Sequence, residues 1–378
     1  MKLLLTNAHV GWAGGHTTYI RELAKAFAAR HQVFVACPST SDVYKQSREI
    51  PGVEVVAMDF PSKPKNLLHI LKVRGQLRDL IRRECFDIVH VNGSPDHRMM
   101  MYAMAGLGEP KPKVVYTRHA STAVGKGFPS LLRARIATDH VIAVSHHTAR
   151  AMSATPYGTC GVTTVHNGVD VTHFFPYNQA ATQAVRRQLL GDANLSKLIV
   201  GTVTGFTGYK GTMDLIEAVA SLPARDRAAI HILVAGEPPD AQKLARIREL
   251  DMEAAITALG VVSDVRPAIA ALDVGFVLSH AVETISFACR EMMAMAKPVM
   301  VTNYAGLPEN IAPHVDGWIV QPRSPLQIAD CLQEILNHRE ALREMGAAAR
   351  RRSELSFDLE RFVAGTESVY QRVAGGGN

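Results

Sequence analysis

Short apolar runs alternate with amphipathic stretches along nearly the whole chain. Residues 3–6 read as a strand, 7–15 as a glycine-rich turn, and 17–30 as a helix. In that helix Ile20, Leu23, Ala24 and Phe27 recur at three and four residues and form one buried stripe. Further strands are predicted at 33–36, 53–58, 88–91, 114–117 and 141–144. The alternation then restarts with a strand at 198–203, a glycine-punctuated turn and a helix at 212–221, followed by strands at 230–235, 274–278 and 298–301. Apolar strands separated by helices favour parallel pairing with both sheet faces covered. Residues 175–196, polar and carrying Pro176 and Gly191, read as the connection between the two patterns, and 357–373 as a closing amphipathic helix.

The expected fold is α/β: two Rossmann-like, doubly wound domains, 1–175 and 190–355, facing each other across a cleft. A C-terminal helix, 356–378, is expected to pack back on the first domain. Open sheets of this kind take ligands at the carboxyl ends of their strands. Two such edges could hold two substrates away from water, which favours group transfer over simple binding.

Composition fits this picture. A chain of 378 residues with 47 % hydrophobic and 20 % charged side chains can fill two full cores without a disulfide or metal staple. No apolar run approaches the ~18 residues of a membrane span. The opening Met1-Lys2-Leu3-Leu4-Leu5 is cut off by Thr6-Asn7, too short for a leader, so the expected setting is cytoplasmic. Cys37, Cys85, Cys160, Cys289 and Cys331 form no CxxC pair and read as reduced thiols. Charge is uneven. Residues 1–190 hold 23 basic and 12 acidic side chains, and residues 191–378 hold 18 and 23. Either surface composition drifts, or the halves meet different partners, the first of them anionic.

The sharpest local signal is 283–291, where Glu283 and Glu291 lie eight apart just after a predicted strand. If the span is helical they are roughly 12 Å apart along the axis, which suits the two ends of an extended ligand. The amides of Thr284, Ile285 and Ser286 would then open a helix and could receive a phosphate. Hydroxyls at both ends with phosphate between them describe a nucleotide-sugar. The plain alternative is two surface glutamates on one helix.

Several ordered motifs carry a resemblance. The run Ser279-His280-Ala281-Val282-Glu283-Thr284, then Glu291-Met292-Met293-Ala294, Lys297-Pro298-Val299 and Gly306-Leu307-Pro308-Glu309, resembles the donor-site signature of the retaining glycosyltransferase family 4. Gly14-Gly15, Val144-Ser145, Asn167-Gly168-Val169-Asp170 and Lys210-Gly211 resemble further landmarks of that family, whose fold is the two-domain GT-B arrangement. The resemblance implies a nucleotide-diphosphate-sugar donor and no cofactor or metal. It implies that Glu283 contacts the donor sugar nearest the reacting carbon, Glu291 the ribose hydroxyls, and Lys210 the departing diphosphate. Gly15 would allow close backbone approach to phosphate or acceptor, and His119 would lie beside the reacting sugar. An anionic or lipid-linked acceptor, as in lipopolysaccharide or other cell-envelope glycan synthesis, would suit the basic first half.

One position departs from the family pattern. Many members carry an arginine five residues before the phosphate-binding lysine, and here that position is Gly205; Arg118, Arg266 and Arg290 are candidate substitutes. No Asp-x-Asp or HExxH pattern suggests a metal, and no GxGxxG suggests a dinucleotide. Residues 63–83 hold Lys63, Lys65, Lys72, Arg74, Arg78, Arg82 and Arg83 among helically spaced leucines and isoleucines. That stretch reads either as a core-facing helix with a solvated basic face or as a helix lying on an anionic membrane. Nucleic acid is a poorer partner, because no aromatic residues interleave the charge. Two rivals to a transferase stay open: a GT-B-type nucleotide-sugar epimerase, and a nucleotide-sugar-binding protein that has lost catalysis.

Overall fold

A computed structural model describes residues 1–11, 14–61 and 66–375. The chain forms two compact units, one of residues 1–168 with 359–378 and the other of residues 169–358. The first unit contains β1 (Lys2–Thr6), β2 (Gln32–Cys37), β3 (Val53–Ala57), β4 (Ile88–Val91), β5 (Lys113–Arg118), β6 (His140–Ala143) and β7 (Val162–Thr164). They form one parallel sheet in the order β3-β2-β1-β4-β5-β6-β7. The second contains β8 (Leu198–Thr202), β9 (Ile230–Ala235), β10 (Ile256–Gly260), β11 (Val274–Val277), β12 (Val299–Thr302) and β13 (Gly317–Val320), parallel in the order β10-β9-β8-β11-β12-β13. In both sheets the strand order reverses beside the first strand, which opens a crevice at the carboxyl edge.

Alternation along each strand feeds two apolar layers. In β1, Leu4 joins Phe34, Val89, Leu77 and Met100 on one face. On the other face the helix Leu359–Ala374 returns to the first unit, with Tyr370 and Phe362 against Phe27 and Tyr19 at ring separations of 5.4 and 5.0 Å. Glu367 clamps that helix by accepting from Arg30 and His31, each at 2.9 Å. The second sheet likewise buries Val200, Ile232, Phe276 and Met300 on one side and Ile199, Leu233, Val277 and Val301 on the other.

Several expectations change. The first unit ends at Gly168 rather than 175, and the supposed connection holds a helix, Gln179–Leu190, that belongs to the second unit. Arg186 ties it there, donating to Ala271 O at 2.8 Å and to Asp273 Oδ1 at 2.6 Å. Strands β7, β10 and β13 are absent from the predicted pattern, and each stands at a sheet edge. The helix Leu67–Glu84 buries Val73, Leu77, Leu80 and Ile81 and leaves Leu67, Leu68 and Leu71 exposed. Its basic face is smaller than its composition implies. Arg74 donates to Tyr102 O at 2.8 Å and Arg78 to Ala103 O at 2.8 Å, so both cap the end of the helix Ser94–Met104. Lys63 and Lys65 lie outside the described residues. No helix among the described residues is long and apolar enough to cross a membrane.

Candidate active site

In the second unit, two loops meet at the carboxyl edge of the sheet. The segment after β8 carries Lys210, and the segment after β11 carries Glu283. They are stitched together by the His280 amide, which donates to Tyr209 O at 3.0 Å. Gly211 makes the approach possible: it has φ +74°, and a Cβ there would lie 2.2 Å from Leu278 O. Lys210 Nζ donates to Glu283 Oε2 at 2.7 Å. Both side chains are largely buried, 18 % and 12 % exposed, so the pair is a desolvated contact rather than a surface one. Ser279 Oγ lies 3.4 Å from Glu283 Oε2, and the Thr284 amide donates to Glu283 Oε1 at 3.2 Å.

The helix expected to begin at Glu283 begins only at Phe287 and runs to Ala294. Val282 and Ser286 stand at φ +55° and +53°, left-handed conformations that stop a helix from including the loop between them. The axial separation expected of Glu283 and Glu291 therefore does not apply. The Thr284 amide is turned to Glu283, and the opening turn of the helix is that of Phe287 and Ala288, with the Ser286 hydroxyl accepting from the Cys289 amide at 3.4 Å. Glu291 sits on this helix and, like Glu283, is partly buried.

The loop is propped from below by Asn310, a residue that sequence reading does not single out. It donates to Ile285 O at 2.8 Å and accepts from Arg290 Nε at 2.9 Å. Arg290 is fully buried with its guanidinium 3.9 Å from the centre of the Phe357 ring, and burial pushes its pKa down to about 9. The landmark 306–309 thus supports the loop through the asparagine that follows it.

The first unit presents a different pocket. A cavity of about 260 Å³ opens at the ends of β1, β4 and β5, lined by His9, His16, Asn92, Ser94, Arg118 and His119 among others. The His16 ring is 4.2 Å from that of His9 and 4.5 Å from that of His119, and Tyr19 meets His119 edge-on at 4.4 Å. Burial lowers the pKa of His119 well below the ordinary range, with His16, His90, His9 and Arg118 adding to it. Burial also drives His16 and His90 to about 3. The rings are neutral at pH 7. Gly15 is exposed in the first turn of the helix Gly15–Ala28, next to His16. Sequence reading misses His9, His16 and Asn92 because the two histidines are remote in the chain from Asn92 and from His119; their shared signal is position just after a β-strand or at the opening of the following helix.

Three comparisons bear on this arrangement. Residues 13–173 match the model of Glycosyltransferase Family 4, and residues 191–352 match that of Glycosyl transferases group 1. The chain belongs to glycosyltransferase family 4. The glycosyltransferase is 25 % identical over 308 residues to the N-acetyl-alpha-D-glucosaminyl L-malate synthase of Bacillus anthracis, covering 80 % of this chain and 79 % of that one. It is 29 % identical over 223 residues to the GDP-mannose-dependent alpha-(1-6)-phosphatidylinositol monomannoside mannosyltransferase of Mycobacterium tuberculosis, 56 % of each chain. The Anabaena protein HepE, crystallised with UDP, superposes with a TM-score of 0.81 over 98 % of this chain and 99 % of that one, at 18 % identity. The shared fold is the two-domain α/β GT-B arrangement.

The glycosyltransferase has a structural reason for Gly205. The residue stands at φ +72°, and a Cβ there would lie 2.3 Å from Glu237 N, because the loop after β8 is hydrogen-bonded to the loop after β9 through Phe206 N and Glu237 O at 2.8 Å. No side chain fits. Of the arginines considered as substitutes, Arg290 is packed beneath the loop and Arg266 is paired bidentately with Asp264, its Nε at 3.0 Å and Nη2 at 2.8 Å. Arg118 lies in the first unit, where it donates to Thr122 O at 2.7 Å. Lys297, another landmark, is also structural: it donates to Ala270 O and Leu272 O at 2.9 and 2.7 Å.

Proposed function

We propose that this glycosyltransferase moves a sugar from a nucleotide-diphosphate-sugar to an acceptor hydroxyl with retention of anomeric configuration. The observation that carries the reading is the Lys210–Glu283 pair at 2.7 Å. A lysine and a carboxylate already desolvated together can exchange partners when a donor arrives. The ammonium turns to the diphosphate, and the carboxylate to the sugar hydroxyls. The opening turn at Phe287 supplies amide dipoles for the same anion. Glu291 would take the ribose hydroxyls, and Gly15 would allow backbone approach to phosphate or acceptor.

In the step we propose, the bond from the anomeric carbon to the diphosphate oxygen breaks and a bond to the acceptor oxygen forms on the same face. The acceptor proton passes to the departing diphosphate. No side chain need act as a dedicated base. Glu283 and His119 contact the sugar as positive charge develops on it. A neutral imidazole suits that place, since an imidazolium would repel the charge. The reading needs no metal or cofactor, because Lys210 and helix amides supply positive potential.

The first unit carries 23 basic and 13 acidic side chains and the second 18 and 22. This supports an anionic or lipid-linked acceptor on the first. The relatives are named for L-malate and for a phosphatidylinositol mannoside, both of which carry negative charge. Synthesis of lipopolysaccharide or another cell-envelope glycan at the cytoplasmic membrane face fits such an acceptor. The exposed Leu67, Leu68 and Leu71 beside Lys72 favour peripheral attachment there. Sedimentation should be stronger with anionic than with neutral liposomes; equal pelleting refutes attachment to an anionic surface, and no pelleting with either refutes attachment altogether. The function itself is tested by a thermal-shift screen of nucleotide-sugars, then NMR of the product formed with anionic acceptors. An inverted anomer refutes retention, and conversion of donor without any acceptor would favour an epimerase.

A further inference from the structure

The pocket of the first unit decides which ring nitrogen of His119 carries the proton. Asn92 is buried, and its Nδ2 donates to two backbone carbonyls, Thr6 O and His90 O, each at 3.2 Å. Its Oδ1 stands 3.2 Å from His119 Nε2. Turning the amide over would set its oxygen against two carbonyl oxygens and strand both, so the amide is keyed with its oxygen toward the histidine. The asparagine is itself held in place. Its backbone N–H donates to Asp96 Oδ2 at 2.8 Å, and that buried carboxylate also accepts from Thr6 Oγ1 at 2.6 Å. An amide oxygen only accepts, so Nε2 must donate, and the neutral ring has no second proton.

We infer that Asn92 is a positioning residue that holds His119 in the Nε2–H tautomer, which makes Nδ1 the accepting nitrogen of the ring. The effect on turnover rests on the reading of His119 as a sugar contact; the tautomer does not.

Long-range ¹H–¹⁵N NMR on the full chain, without substrate, tests the inference directly. The His119 signals are identified by their loss in His119→Gln. The expected spectrum has a protonated Nε2 and a bare Nδ1. In Asn92→Ala the two tautomers mix, and kcat falls about tenfold or more through lost orientation, while donor KM moves less than about threefold. A bare Nε2 in the unmutated chain overturns the inference, as does an unchanged His119 spectrum in Asn92→Ala. Should that variant fail to fold, the unmutated spectrum still decides. If the tautomer is as stated but His119→Gln and Asn92→Ala both turn over normally, it is the sugar-contact reading that falls.

Discussion

The two units use the same sheet edge for opposite electrostatics. In the second, the loops after β8 and β11 bring a lysine and a glutamate into a desolvated pair at 2.7 Å. In the first, the loops after β1, β4 and β5 bring together histidines that burial holds neutral, with an asparagine keyed by two carbonyls. A charged site can exchange one ionic partner for another and so suits a diphosphate. A neutral site adds direction without charge and so suits a sugar on which positive charge is developing. Parallel α/β architecture offers the position; the loops choose the chemistry.

The largest effect separates these roles. Glu283→Ala should lower turnover by ~10² or more, as loss of a charged transition-state contact does, with the second unit still folded by circular dichroism. His119→Ala, which removes a neutral contact, should cost about tenfold. Equal losses, or near-normal turnover in either folded variant, would erase the contrast.

Gly205→Arg comes next. Introducing the arginine that the family resemblance leads one to expect should not add a cation, because the first side-chain atom meets the Glu237 backbone at 2.3 Å. The loop must move, at a cost of about 2–3 kcal/mol from backbone strain and overpacking. Urea unfolding should show a lower midpoint, and donor affinity should fall. A variant of wild-type stability that binds donor more tightly would mean the loop accommodates the residue.

Acid should distinguish the units more mildly. His16, His90 and His97 have folded pKa values of about 3 against 6.5 in the unfolded chain. Between those values the unfolded state binds more protons, so these residues make stability fall as pH drops from about 6.5 toward 3. Asp96, raised to about 6 by burial, acts in the opposite direction between its unfolded value near 3.8 and about 6, because there the folded state holds the extra proton. In the second unit His231, lowered to about 4, acts as the other histidines do. The lowered Asp264 gives way only below its unfolded value near 3.8. The first unit should therefore lose protection earlier on acidification from pH 7 to 5, read by hydrogen exchange resolved by peptide. Simultaneous loss in both units would contradict this.

The smallest expected effect is a null one. Arg266→Ala breaks a partly exposed pair with Asp264, worth at most about 1 kcal/mol, and should leave donor affinity within about twofold. A larger loss by calorimetry would make Arg266 the cation that Gly205 lacks.

Much of the fold is legible in the order of residues. Interior strands announce themselves as continuous apolar runs because parallel strands covered on both faces need no polar alternation. β7, β10 and β13 do not, since edge strands are short or half-exposed and carry a weak pattern. The family landmarks at Lys210, Glu283 and Glu291 are visible as ordered motifs. What the order of residues does not convey is the register of the loops. A motif spaced like a helix contains Val282 and Ser286 in left-handed conformations, which defer the helix to Phe287. Two of the basic residues that read as a membrane face, Arg74 and Arg78, turn inward to cap a neighbouring helix.

Residue order thus dictates the alternation of strands and helices, the unequal charge of the two halves and the ordered motifs at Lys210, Glu283 and Glu291, because each of these resides in local pattern or composition. Folding in three dimensions adds that Lys210 meets Glu283, that no side chain fits at 205, and that Asn92 orients His119. Those outcomes depend on close approaches between segments remote in the chain, and the free energy of such contacts is set by packing and desolvation that no local pattern records.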